Sequence, residues 1–303
     1  MSSRKAVGMR VIPGPASREL GVKVAEKLGA EVLPVEHKTF PDGESYVRFD
    51  GSVRGETVAI VQSTYPPQDK HIMEVCLMAD AAKDLGAERV VAVVPYMAYA
   101  RQDKRFMPGE AVSIRTVGKL LRAAGVDKLI TVDIHSDEAL GSLSSELEVT
   151  NLTAIPLLAR YMAESKGLSG AFALAPDRGA LGLAEEASRV LGGGFGWLYK
   201  HRDRMTGEVR VEERRLDISG RTVIIFDDMI STGGTVVAAA ELLKRQGAAR
   251  VYAACTHPLL VRDALKRIMA SGCDGVVGTD SVPSSVSVVS IAGLLARELR
   301  NEL

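Results

Sequence analysis

The chain has 303 residues, more than one hydrophobic core usually organises, so two domains of ordinary size are the first expectation. Its 38 Lys and Arg balance 38 Asp and Glu, which excludes the overall positive field that binds a nucleic-acid backbone, and no window has the apolar length that a bilayer crossing needs. Cys76, Cys255 and Cys273 are odd in number, widely spaced and without a C-x-x-C pair, a pattern that fits free thiols in the reducing cytoplasm better than disulfides or zinc.

In chain order, apolar strands alternate with helical patterns, which predicts an α/β protein with mostly parallel sheets flanked by helices. The first half offers strands at Met9 to Ile12, Thr57 to Gln62, Arg89 to Val94 and Lys128 to Ile134, with helices at Ser17 to Leu28, Asp69 to Leu85 and Ser113 to Ala124. The second half offers strands at Ala171 to Ala175, Phe195 to Tyr199, Thr222 to Phe226, Arg250 to Cys255 and Gly275 to Gly278. Its helices are predicted at Ile155 to Ser165, Leu181 to Leu191, Val236 to Gln246 and Leu260 to Ala270. The boundary is placed near residue 150, giving domains 1–150 and 151–303, and the last helix, Ile291 to Glu302, can pack on either half. ITVDIHS and IIFDDMIS both run from an apolar strand through Asp to Ser, an echo that suggests duplication.

The stretch VIIFDDMISTGGT, Val223 to Thr235, is the most informative segment. A continuous apolar run suits a strand buried on both faces, and it stops at Asp227 and Asp228, where an open α/β sheet places its ligands. Ser231, Thr232 and Thr235 then offer hydroxyls, Gly233 and Gly234 let the backbone approach closely, and a helix follows whose N-terminus favours phosphate. Carboxylates repel phosphate but accept from hydroxyls, so an acidic pair beside an anion loop suits a sugar phosphate. The bland alternative is a helix start that Asp and Ser/Thr merely cap.

Other loops carry less specific signals. PYMAYARQDKRFMPG places Arg101, Gln102, Asp103, Lys104 and Arg105 after a buried strand; by composition alone it is a solvated surface. Phe40-Pro41-Asp42-Gly43-Glu44 reads as a turn between two short strands. Asp133, His135 and Ser136 follow another strand, and Asp177 stands at a strand end before Gly179. Lys200 and Arg202, after Gly196-Trp197-Leu198-Tyr199, are surface charges or cations that face a developing negative charge. No Walker A pattern occurs.

Together these segments resemble the ribose-phosphate pyrophosphokinase family, whose members make phosphoribosyl diphosphate (PRPP). Val223 to Thr235 resembles the ribose-5-phosphate loop that this family shares with phosphoribosyltransferases, whereas Tyr99-Ala100-Arg101-Gln102-Asp103 resembles a catalytic loop that transferases lack. The resemblance implies two phosphoribosyltransferase-like domains and transfer of a diphosphoryl group from ATP to ribose 5-phosphate. It implies ATP contacts at Phe40, Asp42, Glu44, Arg101, Gln102, Asp103 and His135, with the Phe40 loop reaching a neighbouring subunit's nucleotide and the enzyme at least a homodimer. It further implies sugar-phosphate contacts at Asp227, Asp228, Ser231, Thr232, Gly233, Gly234 and Thr235, magnesium (Mg2+) at His135 and Asp177, and catalytic roles for Lys200 and Arg202. A phosphoribosyltransferase that consumes PRPP and a non-catalytic regulatory homologue are the alternatives. The resemblance departs at Lys83-Asp84-Leu85-Gly86-Ala87, where bacterial-type relatives carry a basic pair followed by Ala-Ser-Ala, and in lacking their longer C-terminal tail. It therefore does not extend to the phosphate activation and ADP inhibition of that type.

Overall fold

A computed structural model describes residues 8–202, 209–212 and 216–303, with 199–202 and 209–212 described by their backbone alone. The chain divides into two compact units, Met1–Leu152 with Ser290–Leu303, and Thr153–Val289.

The first unit contains β1 (Met9–Pro13), α1 (Arg18–Leu28), β2 (Glu31–Val32), β3 (Val35–Thr39), β4 (Ser45–Phe49), β5 (Thr57–Val61), α2 (Gln68–Asp84), β6 (Arg89–Val93), α3 (Ser113–Ala123), β7 (Lys128–Val132), α4 (Asp137–Ser144) and β8 (Glu148–Leu152). Six strands form one sheet in the order β2-β1-β5-β6-β7-β8, every pair parallel, while β3 and β4 make a separate antiparallel hairpin. All of β5 and β7 is buried, as expected for strands covered on both faces.

The second unit contains α5 (Ile155–Glu164), β9 (Phe172–Ala175), α6 (Leu181–Leu191), β10 (Phe195–Trp197), β11 (Tyr199–Arg202), β12 (Val209–Glu212), β13 (Thr222–Met229), α7 (Gly234–Arg245), β14 (Arg250–His257), α8 (Ala264–Ala270), β15 (Gly275–Thr279) and β16 (Ser287–Val289). Its parallel sheet runs β10-β9-β13-β14-β15-β16, with β11 and β12 as an antiparallel hairpin apart from it. Along β13 the side chains alternate between two cores: Val223 and Ile225 pack with Val236, Ala239 and Leu243 of α7, and Ile224 and Phe226 with Leu158 and Ala184 of α5 and α6. The closing helix α9 (Ala292–Leu299) packs on α1 of the first unit.

The two units have the same strand order and place a hairpin at the same point in it. Equivalence runs β5 to β13, β6 to β14 and β7 to β15, so the echo between ITVDIHS and IIFDDMIS joins strands that are not counterparts. The counterparts share another device. Asp127, just before β7, accepts from Lys83 Nζ at 2.6 Å and Val90 N–H at 2.7 Å. Asp274, just before β15, accepts from Lys244 Nζ at 2.9 Å and Val251 N–H at 2.7 Å. Each carboxylate thus joins a helix end to the amino ends of two parallel strands.

Among the departures from the sequence expectation, three boundaries have a cause visible in the backbone. β13 continues through Asp227 and Asp228 to Met229, because β14 runs on beside it and pairs Asp227 with Cys255 and Met229 with His257. β7 stops at Val132, where Asp133 takes a positive φ of 41°. α8 begins at Ala264 rather than Leu260, since Leu260 and Arg262 have φ of 44° and 56°, which no right-handed helix accommodates.

Candidate active site

In the second unit, the Asp227 to Thr235 segment is held from below. Ile230 N–H donates to the His257 carbonyl at 3.1 Å, while Leu260 N–H and Val261 N–H donate to the carbonyls of Ile230 and Ser231 at 2.9 and 3.1 Å. The Arg267 guanidinium donates to the Thr232 carbonyl. Asp227 and Asp228 are half-buried, and Asp227 Oδ1 accepts from the Asp228 N–H at 3.0 Å. Ser231, Gly234 and Thr235 are also half-buried, Thr232 is exposed and Gly233 is buried.

The residue at the start of α7 is Gly233, in the left-handed region at φ 77°, and no acid stands in the helix's first turn. A β-carbon on Gly233 would meet Ile268 Cδ1 at 2.9 Å, so backbone conformation and packing both demand glycine. At Gly234 a β-carbon would meet nothing within 4 Å, so the packing there makes no such demand. The N-cap position itself is thus held by a residue without a side chain, and not by one of the Asp, Ser or Thr residues around it. The helical ladder opens with Val237 N–H donating to the Gly233 carbonyl at 2.9 Å, and helix geometry turns the N–H groups of the preceding turn toward the loop.

β9 pairs with β13, with Leu174 opposite Ile225, which brings Asp177 and the Asp227 pair to the same edge of the sheet. Asp177 Oδ1 accepts from the N–H groups of Gly179 and Ala180 at 2.9 and 3.2 Å. Burial, reinforced by the charge on Asp227, pushes the Cys255 thiol well above its ordinary range; it is a neutral core residue, not a nucleophile. Lys200 and Arg202 belong to β11, opposite Val211 and Val209, and their side chains lie outside the described residues.

In the first unit, β6 and β7 are neighbours, with Val93 opposite Ile130, so the loops that follow them meet. Arg101 is exposed, Gln102 half-buried and Asp103 buried. Glu110 shapes the tip of this loop by accepting from Phe106 N–H and Met107 N–H at 2.8 and 3.0 Å. His135 is exposed, next to Ser136, whose hydroxyl accepts from Ala139 N–H at 3.0 Å as the N-cap of α4. Lys104 joins the two loops through Glu138 at 3.1 Å, and that hydrogen bond holds the Glu138 carboxyl below its ordinary range.

The tip of the β3–β4 hairpin carries Phe40, Asp42 and Glu44, all exposed. Its strands are anchored through Glu74 of α2, which is only 1% exposed and sits 2.8 Å from His37 Nε2, 3.1 Å from Ser45 Oγ and 2.8 Å from Gln62 Nε2. Sequence reasoning did not single out Glu74, Glu110 or Arg267. Glu74 and Glu110 show only as isolated charges within an otherwise ordinary pattern, and Arg267 as one of two adjacent cations, Lys266 and Arg267. Ser136 had a better signal, a serine ahead of two acids, which marks a helix start.

Two parallel sheets of one strand order, one of them ending at its carboxyl edge in an acid-flanked, glycine-opened helix start, define an α/β protein of the phosphoribosyltransferase type. A family model described as the N-terminal domain of ribose phosphate pyrophosphokinase matches residues 9–125, and one described as the phosphoribosyl synthetase-associated domain matches residues 215–296. A ribose-phosphate pyrophosphokinase of Methanopyrus kandleri is 44% identical over 93% of this chain and 96% of its own. One of Methanothermobacter thermautotrophicus is 42% identical over 96% of this chain and all of its own, at 100%. The crystal structure of phosphoribosylpyrophosphate synthetase from Mycobacterium smegmatis superposes with a TM-score of 0.86 at 35% identity, covering 97% of this chain and 98% of that one. The chain belongs to the ribose-phosphate pyrophosphokinase family.

Proposed function

We propose that the protein is a ribose-phosphate diphosphokinase. The C1 hydroxyl of ribose 5-phosphate attacks the β-phosphorus of ATP, the bond from that phosphorus to the oxygen bridging to the α-phosphorus breaks, and PRPP, AMP and the hydroxyl proton are the products. The observation that carries this reading is the reach of the family likeness, which spans nearly the whole chain and includes the Arg101 loop as well as the Val223 to Thr235 segment. A phosphoribosyltransferase accounts for the second of these alone. A non-catalytic homologue has no need of Lys200, Arg202 and His135 together.

In this reading Asp227 and Asp228 accept from the ribose hydroxyls, while Ser231, Thr232, Gly233, Gly234 and Thr235 surround the 5-phosphate. Arg101, Gln102 and His135 hold the ATP phosphates. Lys200 and Arg202 stabilise the charge that develops on the transferred group. Such transfer needs alignment and charge neutralisation more than a protein nucleophile, which suits a site rich in cations.

Magnesium fits as an ion carried largely by ATP. Among the described residues no group of three or more His, Cys, Asp or Glu could hold a metal ion by itself. An ion bound mostly by phosphates and water needs only one or two side chains, such as His135 and Asp177. When bound, it would neutralise phosphate charge. The exposed, firmly based Phe40 hairpin suits a loop that serves another subunit, so the working form is at least a homodimer. Three thiols without a disulfide fit the cytoplasm.

Phosphorus NMR of the purified protein with magnesium, ATP and ribose 5-phosphate tests the reading. AMP and PRPP resonances should appear together, without any added base. An unaltered ATP spectrum, or ADP as the nucleotide product, contradicts the proposal.

A further inference from the structure

Asp103 lies in a run of charges, between half-buried Gln102 and exposed Lys104, yet it is only 8% exposed itself. Its Oδ2 accepts from the Ser136 hydroxyl at 2.5 Å, across a sequence separation of 33 residues. Its Oδ1 is buried and has no hydrogen-bond partner among the described residues. A carboxylate oxygen left unsatisfied in the interior is costly, and a fold retains one where the group as a whole performs a task.

The task can be read from Ser136. A serine hydroxyl has one proton to donate and lone pairs with which to accept. Donating that proton to Asp103 fixes the rotor, so that a lone pair faces Ala139 N–H at the start of α4. The buried acid therefore controls the cap, and the cap sits beside His135. Lys104 and Glu138 join the same two segments at the surface, where an ion pair contributes little by itself. A nucleotide contact would instead need Asp103 to present an accessible oxygen to the loop's outer face.

We infer that Asp103 is a positioning residue: its carboxylate latches Ser136, and through it the start of α4, to the basic loop, so that Arg101, Gln102 and His135 meet the ATP phosphates as one preset surface. This rests on the diphosphokinase reading above and replaces the direct nucleotide contact implied for Asp103 by family resemblance.

The test is a double-mutant cycle on Asp103→Ala and Ser136→Ala. PRPP formation is measured with ATP and ribose 5-phosphate varied in turn, and hydrogen–deuterium exchange of residues 133–140 is followed without substrates. Each single variant should raise the KM for magnesium-ATP about tenfold, the scale of one charge-assisted hydrogen bond, and leave the KM for ribose 5-phosphate within about twofold. Asp103→Ala should speed exchange at the Ala139 amide, and the double variant should lose no more than the worse single one. Asp103→Asn keeps an acceptor for the hydroxyl and should recover most of the loss. Losses that multiply in the double variant, or Ala139 exchange untouched by Asp103→Ala, overturn the inference. If Asp103→Ala does not fold, Asp103→Leu enters the same cycle under the same criteria. A wild-type protein that makes no PRPP would sink the diphosphokinase reading, while the exchange measurement still judges the latch.

Discussion

The connection from β5 to α2 in the first unit and that from β13 to α7 in the second occupy equivalent places in two sheets of the same order, yet they are built oppositely. After β5 come Gln62, Ser63 and Thr64, all buried and bonded inward. Gln62 Oε1 accepts from Ala16 N–H at 2.9 Å; Thr64 Oγ1 donates to the Tyr96 carbonyl and accepts from Ala98 N–H, both at 2.8 Å. α2 has its own acid in the first turn, Asp69, which accepts from the Tyr99 hydroxyl. After β13 the acids and hydroxyls are largely half-buried or exposed, the cap is a glycine, and the first turn of α7 has no acid. One connection satisfies itself and braces the segment that leads to Arg101. In the other, neither a capping side chain at the N-cap nor an acid in the first turn answers the positive end of the helix.

The sharpest way to break this contrast is Gly233→Ala. A left-handed alanine against Ile268 should cost about 2–4 kcal/mol in denaturant unfolding, from backbone strain plus overpacking. A variant as stable as the parent would remove the claim that the cap must be glycine. Thr64→Val probes the other connection. It leaves Ala98 N–H unsatisfied and should destabilise by about 1–3 kcal/mol, while the KM for ribose 5-phosphate in the folded fraction stays put. Gly234→Ala should do the reverse: stability holds, because its β-carbon meets nothing, but the KM for ribose 5-phosphate rises about tenfold as the methyl crowds the phosphate. An unaltered KM would show that the ligand does not approach the backbone there.

The smallest effect concerns what the units share. Burial pushes the Asp274 carboxyl up, but the Val251 amide and Lys244 outweigh it and hold its folded value below the ordinary one. A depressed carboxylate contributes stability above its unfolded pKa and loses it as pH falls through the folded value. Asp274→Asn should therefore cost about 0.5–1 kcal/mol near neutrality, a modest figure because the pair is partly solvated. Unfolding curves of variant and parent should converge once the pH falls below the folded value. A difference that persists there would assign the effect to packing.

Much of the fold was legible because buried parallel strands are continuous apolar runs: β5, β6, β7, β13 and β14 all announced themselves. β8, reading EVTNL, did not. It is a half-exposed edge strand held by its pairing with β7, so no pattern of its own marks it. α4 is eight residues long and includes Gly141, too short for a periodic signal. Asp103 shows the limit most clearly. Five consecutive polar residues look alike in sequence, and only the partner 33 residues away turns one of them inward. Residues 260–263, part of the strap that bonds to Ile230 and Ser231, likewise read as helix, since nothing local marks the two positive φ angles at Leu260 and Arg262.

The lysine–aspartate closures at Asp127 and Asp274 stand at the amino ends of their sheets, away from every loop discussed above. A gene segment that encodes such a unit carries its own fastening, so after doubling each copy can hold together while its opposite rim drifts. Substitutions at that rim alter which molecules are held without loosening what holds the rim. One rim is thus a brace and the other a more open loop, on two sheets of one strand order.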